Sequence, residues 1–236
     1  MYASTNSDNE LTEKREAYNN LVRERKACRA CQGLINPADY NYDSDQIGPW
    51  SLWQGNLDSD LLIVGQDWGD TEYFEKWEGR DQPTGNPTSE NLQELLGHIG
   101  IDIGKPRDLQ ESKLFFTNLI LCLKQGGLQA PVEDQWFANC GERFFKPLVE
   151  LIRPKAILAL GKDASTTILK IYDVGLKKGQ TLEAIMKESP YTLTPSTVLF
   201  PLYHCGAWGV NRNRYIGEQK KDWERVADWM ERHELL

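Results

Sequence analysis

Four short, nearly unbroken apolar runs constrain this chain more than anything else in it: LLIVG at 61–65, LFFTNLIL at 114–121, AILALG at 156–161 and TVLFPLY at 197–203. Each has the length of a strand, and apolarity at almost every position is what a strand buried on both faces requires. Helical patterns separate them. NLQELLGHIG (91–100) lies between the first two, and WFANCGERFFKPLVELI (136–152) precedes the third. KDASTTILKIY (162–172) follows it, and residues 214–236 close the chain. This alternation predicts a three-layer α/β/α sandwich around a four-stranded, mainly parallel sheet. A chain of 236 residues with 40% hydrophobic content can bury such a core as one domain, 1–236. Ahead of the sheet, residues 9–27 read as a charged helix. Residues 32–58, rich in Gly, Pro, Asn and Asp, read as mostly loop, which Trp50 and Trp53 are expected to anchor. Together they form an extension over about 1–58.

Open parallel sheets hold ligands beyond the carboxyl ends of their strands, and three strand ends here carry polar groups. Asp67 follows the first run by two residues, in GQDWGD. It reads either as a turn residue capping the next helix or as a general base or cation stabiliser. Asn118 interrupts the second run, where a buried amide needs hydrogen bonds and is able to read adjacent donors and acceptors on a base edge. His204 enters a Gly-rich turn, CGAWGVNRNR, that also carries Trp208, Arg212 and Arg214. The Trp is a candidate wedge, and the two Arg are candidate phosphate contacts.

No apolar run approaches the ~20 residues of a membrane span. The opening MYASTNSDNE lacks the pattern of a secretion signal, so a cytoplasmic location is expected. A net charge of −8 opposes non-specific nucleic-acid binding through global charge. A local basic face still acts inside an acidic protein, and Lys162, Arg212, Arg214 and Lys124 are its candidates. Of five cysteines, Cys28 and Cys31 have C-x-x-C spacing, a metal half-site, a redox pair or chance.

Taken together, these motifs resemble the uracil-DNA glycosylase superfamily over roughly residues 25–230, most nearly its iron–sulfur branch. Strand-GQDWG resembles the first family motif. TNLILC resembles its strand-borne Asn followed four residues later by Cys. CGERFFKPLVELIRPKAILALGKDA resembles its Cys-helix-Pro-strand-Leu-Gly-x-x-Ala stretch, and LYHCGAWGVNRNR stands where the second motif belongs. The resemblance implies a monomeric hydrolase of base-excision DNA repair that acts on DNA containing a damaged base. It removes uracil or a related deaminated base by hydrolysing the N-glycosidic bond. The implied catalytic residues are Asp67 and His204. Gln66, Trp68, Gly69 and Asn118 are the implied base-binding residues, and Trp208, Arg212, Arg214 and Lys162 would contact DNA. It also implies that Cys28, Cys31, Cys122 and Cys140 hold a [4Fe–4S] cluster. Four thiolates also suit zinc, and family likeness alone favours the cluster.

The chain departs from the iron–sulfur pattern at several positions. Gln66 replaces the usual Glu, Asp67 the usual Ala or Gly, Trp68 the Pro, and Thr84 a Phe that stacks on uracil. A stacking ring would then come from Trp68, Tyr73 or Trp77. Gly69 stands where the principal branch has a methyl-rejecting Tyr, and Cys205 replaces a Pro. These changes keep alternatives open: a glycosylase for another base, a catalytically divergent nucleobase- or nucleic-acid-binding member of the fold, or a zinc-stabilised partner-binding protein.

Overall fold

A computed structural model describes residues 4–48, 56–80, 82, 84–102 and 114–235. Trp50 and Trp53 lie outside the described residues. In chain order the elements are α1 (Ser4–Ala27), β1 (Leu34–Ile35), β2 (Leu61–Asp67), α2 (Thr71–Lys76), α3 (Pro87–His98), β3 (Leu114–Ile120) and β4 (Leu123–Lys124). Then come α4 (Asp134–Cys140), α5 (Lys146–Ile152), β5 (Ala156–Leu160), α6 (Lys162–Ile171), α7 (Leu182–Glu188), β6 (Tyr191–Thr194), β7 (Thr197–Leu202) and α8 (Ile216–Arg232).

The main sheet runs β3-β2-β5-β7-β6. Its first four strands are the four apolar runs, and they pair in parallel. The sheet has five strands rather than four, because β6 adds antiparallel to the β7 edge. Its sequence, YTLT, lies half-exposed at that edge and so needs no continuous apolar run.

Successive strand residues face opposite sides, and the core divides accordingly. Leu62, Val64, Phe115, Ile157, Ala159 and Leu199 meet Tyr18 and Val22 of α1, Leu148 and Ile152 of α5, and Ile168 of α6. On the other side Leu61, Ile63, Phe116, Leu158 and Phe200 meet Leu92, Leu95 and Leu96 of α3, with Trp223, Val226 and Met230 of α8. These are the three layers expected. The 136–152 helix is α4 and α5 joined through a wide π-type turn at Gly141–Phe145, which sets Cys140 at the break. A separate pair, β1 with β4, joins the segment after Cys31 to the segment after Cys122. No described helix is long and apolar enough to cross a membrane.

Helix α3 begins four residues before the periodic stretch. Asn86 accepts hydrogen bonds from the backbone N–H groups of Thr88 and Ser89 at 3.0 and 3.4 Å, and Pro87 occupies the first turn. The cap aims the start of α3 at the turn that follows β7.

Candidate active site

Four parallel strands deliver their carboxyl ends to one edge of the sheet. In the β2–β3 pairing, Gly65 lies opposite Asn118. A β-carbon built on residue 65 would collide with Asn118 Oδ1, so this glycine leaves the room that the amide occupies. Asn118 is buried.

Asp67 is the last residue of β2. Capping of the next helix falls to a different carboxylate: Asp70 Oδ1 accepts from Tyr73 N–H at 2.7 Å and starts α2. Asp67 Oδ2 instead accepts from Gln66 Nε2 at 2.6 Å and lies 3.2 Å from Lys124 Nζ. Both members of this ion pair are buried, with side-chain exposures of 8% for Asp67 and 4% for Lys124. Lys124 therefore sits beneath the cleft and not on a phosphate-facing surface, contrary to the expectation that it joins a DNA face.

His204 follows β7. Its Nδ1 accepts from Gly206 N–H at 2.9 Å, so the neutral imidazole carries its proton on Nε2. His204 is exposed to solvent, yet neighbouring protein partly desolvates its imidazole. This desolvation lowers its pKa, and the Asp67 carboxylate acts in the opposite sense. The two groups thus share one electrostatic environment. Adjacent strands are ~4.8 Å apart, which sets β2 and β7 about 10 Å apart across β5, wide enough to admit a planar ring.

Two glycines and α3 shape the His204 turn. A β-carbon at Gly209 would collide with the His204 carbonyl oxygen, and one at Gly206 would lie 2.9 Å from both the imidazole and Thr88 Oγ1. Asn91 Nδ2 donates to the Cys205 carbonyl at 2.7 Å.

The remaining candidates fall in three places. Trp68 is buried, edge-on to Tyr73 and Phe74, in a small cluster with Leu123. Gly69 has φ +125°, and a β-carbon there would meet Leu128 Cδ2 at 3.2 Å. Gln66, Lys124, Leu128 and Asp163 line a cleft of about 320 Å³. Trp208 is 56% exposed, with the Arg212 guanidinium 4.2 Å from its ring centroid. Arg214 is engaged by Asp222 at 2.5 and 2.8 Å. Lys162 is exposed at the start of α6. The contributions of Thr88 and Asn91 are not marked in the sequence, because neither stands in a motif or at a strand end, and Lys124 is marked there only as a basic residue.

The family sequence model of the uracil DNA glycosylase superfamily matches residues 52–231. The chain belongs to this superfamily. A type-4 uracil-DNA glycosylase of Archaeoglobus fulgidus is similar to it, with 24% identity over 159 residues, 67% of this chain and 67% of the relative. Superfamily membership supports a DNA glycosylase as the general activity class. The matched segment includes Asp67, Asn118, His204, Cys122 and Cys140, while Cys28 and Cys31 precede it.

Those four cysteines line a single cavity of about 260 Å³, together with Arg25, Arg29 and Asn139. A hydrogen bond with Cys140 holds the Cys31 thiol down to about 6, assisted by Asn139, whose Nδ2 lies 3.3 Å from its sulfur. Burial pushes Cys122 up to about 12, with Cys28 and Cys31 adding to the rise. The bond to Cys31, with burial adding to it, raises Cys140. Among the described residues, no three His, Cys, Asp or Glu side chains are gathered tightly enough for one metal ion.

Proposed function

We propose that the protein hydrolyses the N-glycosidic bond joining uracil, or a related deaminated base, to deoxyribose in DNA. The observation that carries this reading is the convergence of Asp67, Asn118 and His204 at one sheet edge in a member of this superfamily.

The target nucleotide leaves the base stack, at a cost of a few kcal/mol that is least at mispairs and in single strands. Exposed Trp208 fills the space it vacates, and Lys162 and Arg212 meet phosphates. Asn118 pairs with O4 and N3–H of uracil. Cytosine presents an amino group at the first of these positions and leaves a buried amide mismatched. As the C1′–N1 bond breaks, the base keeps the bonding pair and departs as an anion. His204 donates its Nε2 proton in a hydrogen bond to O2 of that anion. The Asp67 carboxylate stabilises the positive sugar and orients a water whose oxygen bonds to C1′ and whose proton leaves through Asp67. Burial of the Asp67 side chain strengthens its share of this effect. The Gly206 N–H bond to Nδ1 requires the neutral ring, which leaves Nε2 as the donor and which the lowered pKa favours at neutral pH.

The test is a panel of oligonucleotides carrying uracil, hypoxanthine, xanthine or mismatched thymine, in single and double strands, with free base measured by chromatography. Uracil release is expected. Binding without release of any base would replace this reading with that of a nucleobase-binding member of the fold.

Cys28, Cys31, Cys122 and Cys140 would hold a [4Fe–4S] cluster. What supports this is one cavity lined by four thiols, and the chemistry of the donor set fits. Four thiolates also suit tetrahedral zinc, and likeness to the iron–sulfur branch is what favours the cluster. The cluster would supply structural cross-linking of the N-terminal segment to the α4 terminus. Purified protein is expected to be brown and to contain iron and acid-labile sulfide, both lost in Cys140→Ser. Zinc without iron in elemental analysis would overturn the assignment.

A further inference from the structure

We propose that Lys124 is a positioning residue that holds the Asp67 carboxylate in its working orientation; this deepens the glycosylase reading and rests on it. Lys124 is fixed along its whole length. Its backbone N–H donates to the Gly69 carbonyl at 3.2 Å, and β4 pairs it with Leu34 of β1. Its Nζ donates to the Leu128 carbonyl at 2.9 Å and meets Asp67 Oδ2 at 3.2 Å. A buried, tethered ammonium is a stationary charge with little orientational freedom, unlike a surface lysine.

The consequence lies in which oxygen is used. Gln66 Nε2 and Lys124 Nζ both reach Oδ2. Among the described residues these donors fix the carboxylate by one oxygen, which leaves Oδ1 as the oxygen available to a water. Lys124 also joins this carboxylate to the 125–131 segment through Leu128, whose side chain covers Gly69 on the wall of the same cleft. One side chain thereby sets both the carboxylate and the cleft wall.

The experiment uses the full chain with any bound metal, and compares Lys124→Met, Lys124→Gln and Lys124→Arg, each alone and with Asp67→Asn. Lys124→Met is expected to lower the single-turnover release rate by about 10²-fold, the effect of a small misplacement at a reacting centre. Its Kd for an oligonucleotide carrying 2′-fluoro-deoxyuridine, which resists cleavage, is expected to stay unchanged. Lys124→Arg restores part of the rate. In the Asp67→Asn background, Lys124→Met costs no more than about a further twofold, because the two act as one unit. A full, multiplicative loss in that background overturns the proposal, as does a rate that falls only in step with thermal stability. Should Lys124→Met fail to fold, Lys124→Gln, which retains a donor for Leu128, carries the same comparison. Failure of the glycosylase reading is visible separately, as absence of release by the wild type. The Asp67 rotamer in a crystal structure of Lys124→Gln then decides the proposal, and an unmoved carboxylate overturns it.

Discussion

Asp67→Asn is expected to lower uracil release under single-turnover conditions by about 10²–10⁴-fold, the usual worth of a positioned acid–base group, while leaving binding of uracil-containing DNA largely intact. Asparagine keeps the shape and accepts a hydrogen bond from Lys124 Nζ. It does not stabilise a positive sugar and does not take a proton from water. The same substitution is expected to reduce stability, because it strips the counter-charge from an ammonium whose side chain is only 4% exposed. Breaking a buried pair costs about 3–5 kcal/mol. The retained Asn acceptor sets the expectation at the lower end, readable by urea denaturation. Chemistry and stability are separable because release is measured well below the melting temperature. Release at the wild-type rate by a folded Asp67→Asn protein would remove Asp67 from the mechanism.

The second large effect is expected from the smallest possible change, Gly65→Ala. The added methyl would occupy the space of Asn118 Oδ1. Neither partner can yield readily, since the two residues sit in direct register on adjacent parallel strands that are buried among close-packed side chains. The amide must rotate or the strands must part. Overpacking of this kind costs about 1–3 kcal/mol, and displacement of the amide is expected to reduce uracil release by about 10²-fold. Discrimination against cytosine should weaken with it, because the fixed donor–acceptor pair is what opposes cytosine. Gly97→Ala in α3 is the matched control. A β-carbon there meets nothing within 4 Å, so unchanged activity and equal or slightly higher stability are expected. If Gly65→Ala kept full rate and selectivity, Asn118 would have no part in reading the base.

Much of the fold was legible because it rests on a periodic signal. Strands buried on both faces must be apolar at nearly every position, and LLIVG, LFFTNLIL, AILALG and TVLFPLY announce themselves. β6 did not, because an edge strand with one wet face needs only the modest YTLT. The short α2 and α7 were also silent, being too brief to show a period. At the site, Asp67, Asn118 and His204 were legible as strand ends. The competing reading of Asp67 as a helix cap was settled by Asp70, three residues on, which does that work. Trp68 illustrates the opposite case. In sequence it stands within the first motif as an implied base-binding residue, and in three dimensions its ring is enclosed by Tyr73, Phe74 and Leu123.

From its residue order alone the chain determined the parallel sheet, the edge at which polar groups gather, and a set of cysteines in family order. Tertiary structure decided that Lys124 lies against Asp67, that Gly65 is the space Asn118 needs, and that four thiols from three distant segments line one cavity. The division has a physical cause. Backbone periodicity and burial are local properties, written every two or every three to four residues. An ion pair or a steric vacancy depends on which strand lies beside which, and that is chosen by the packing of the whole core.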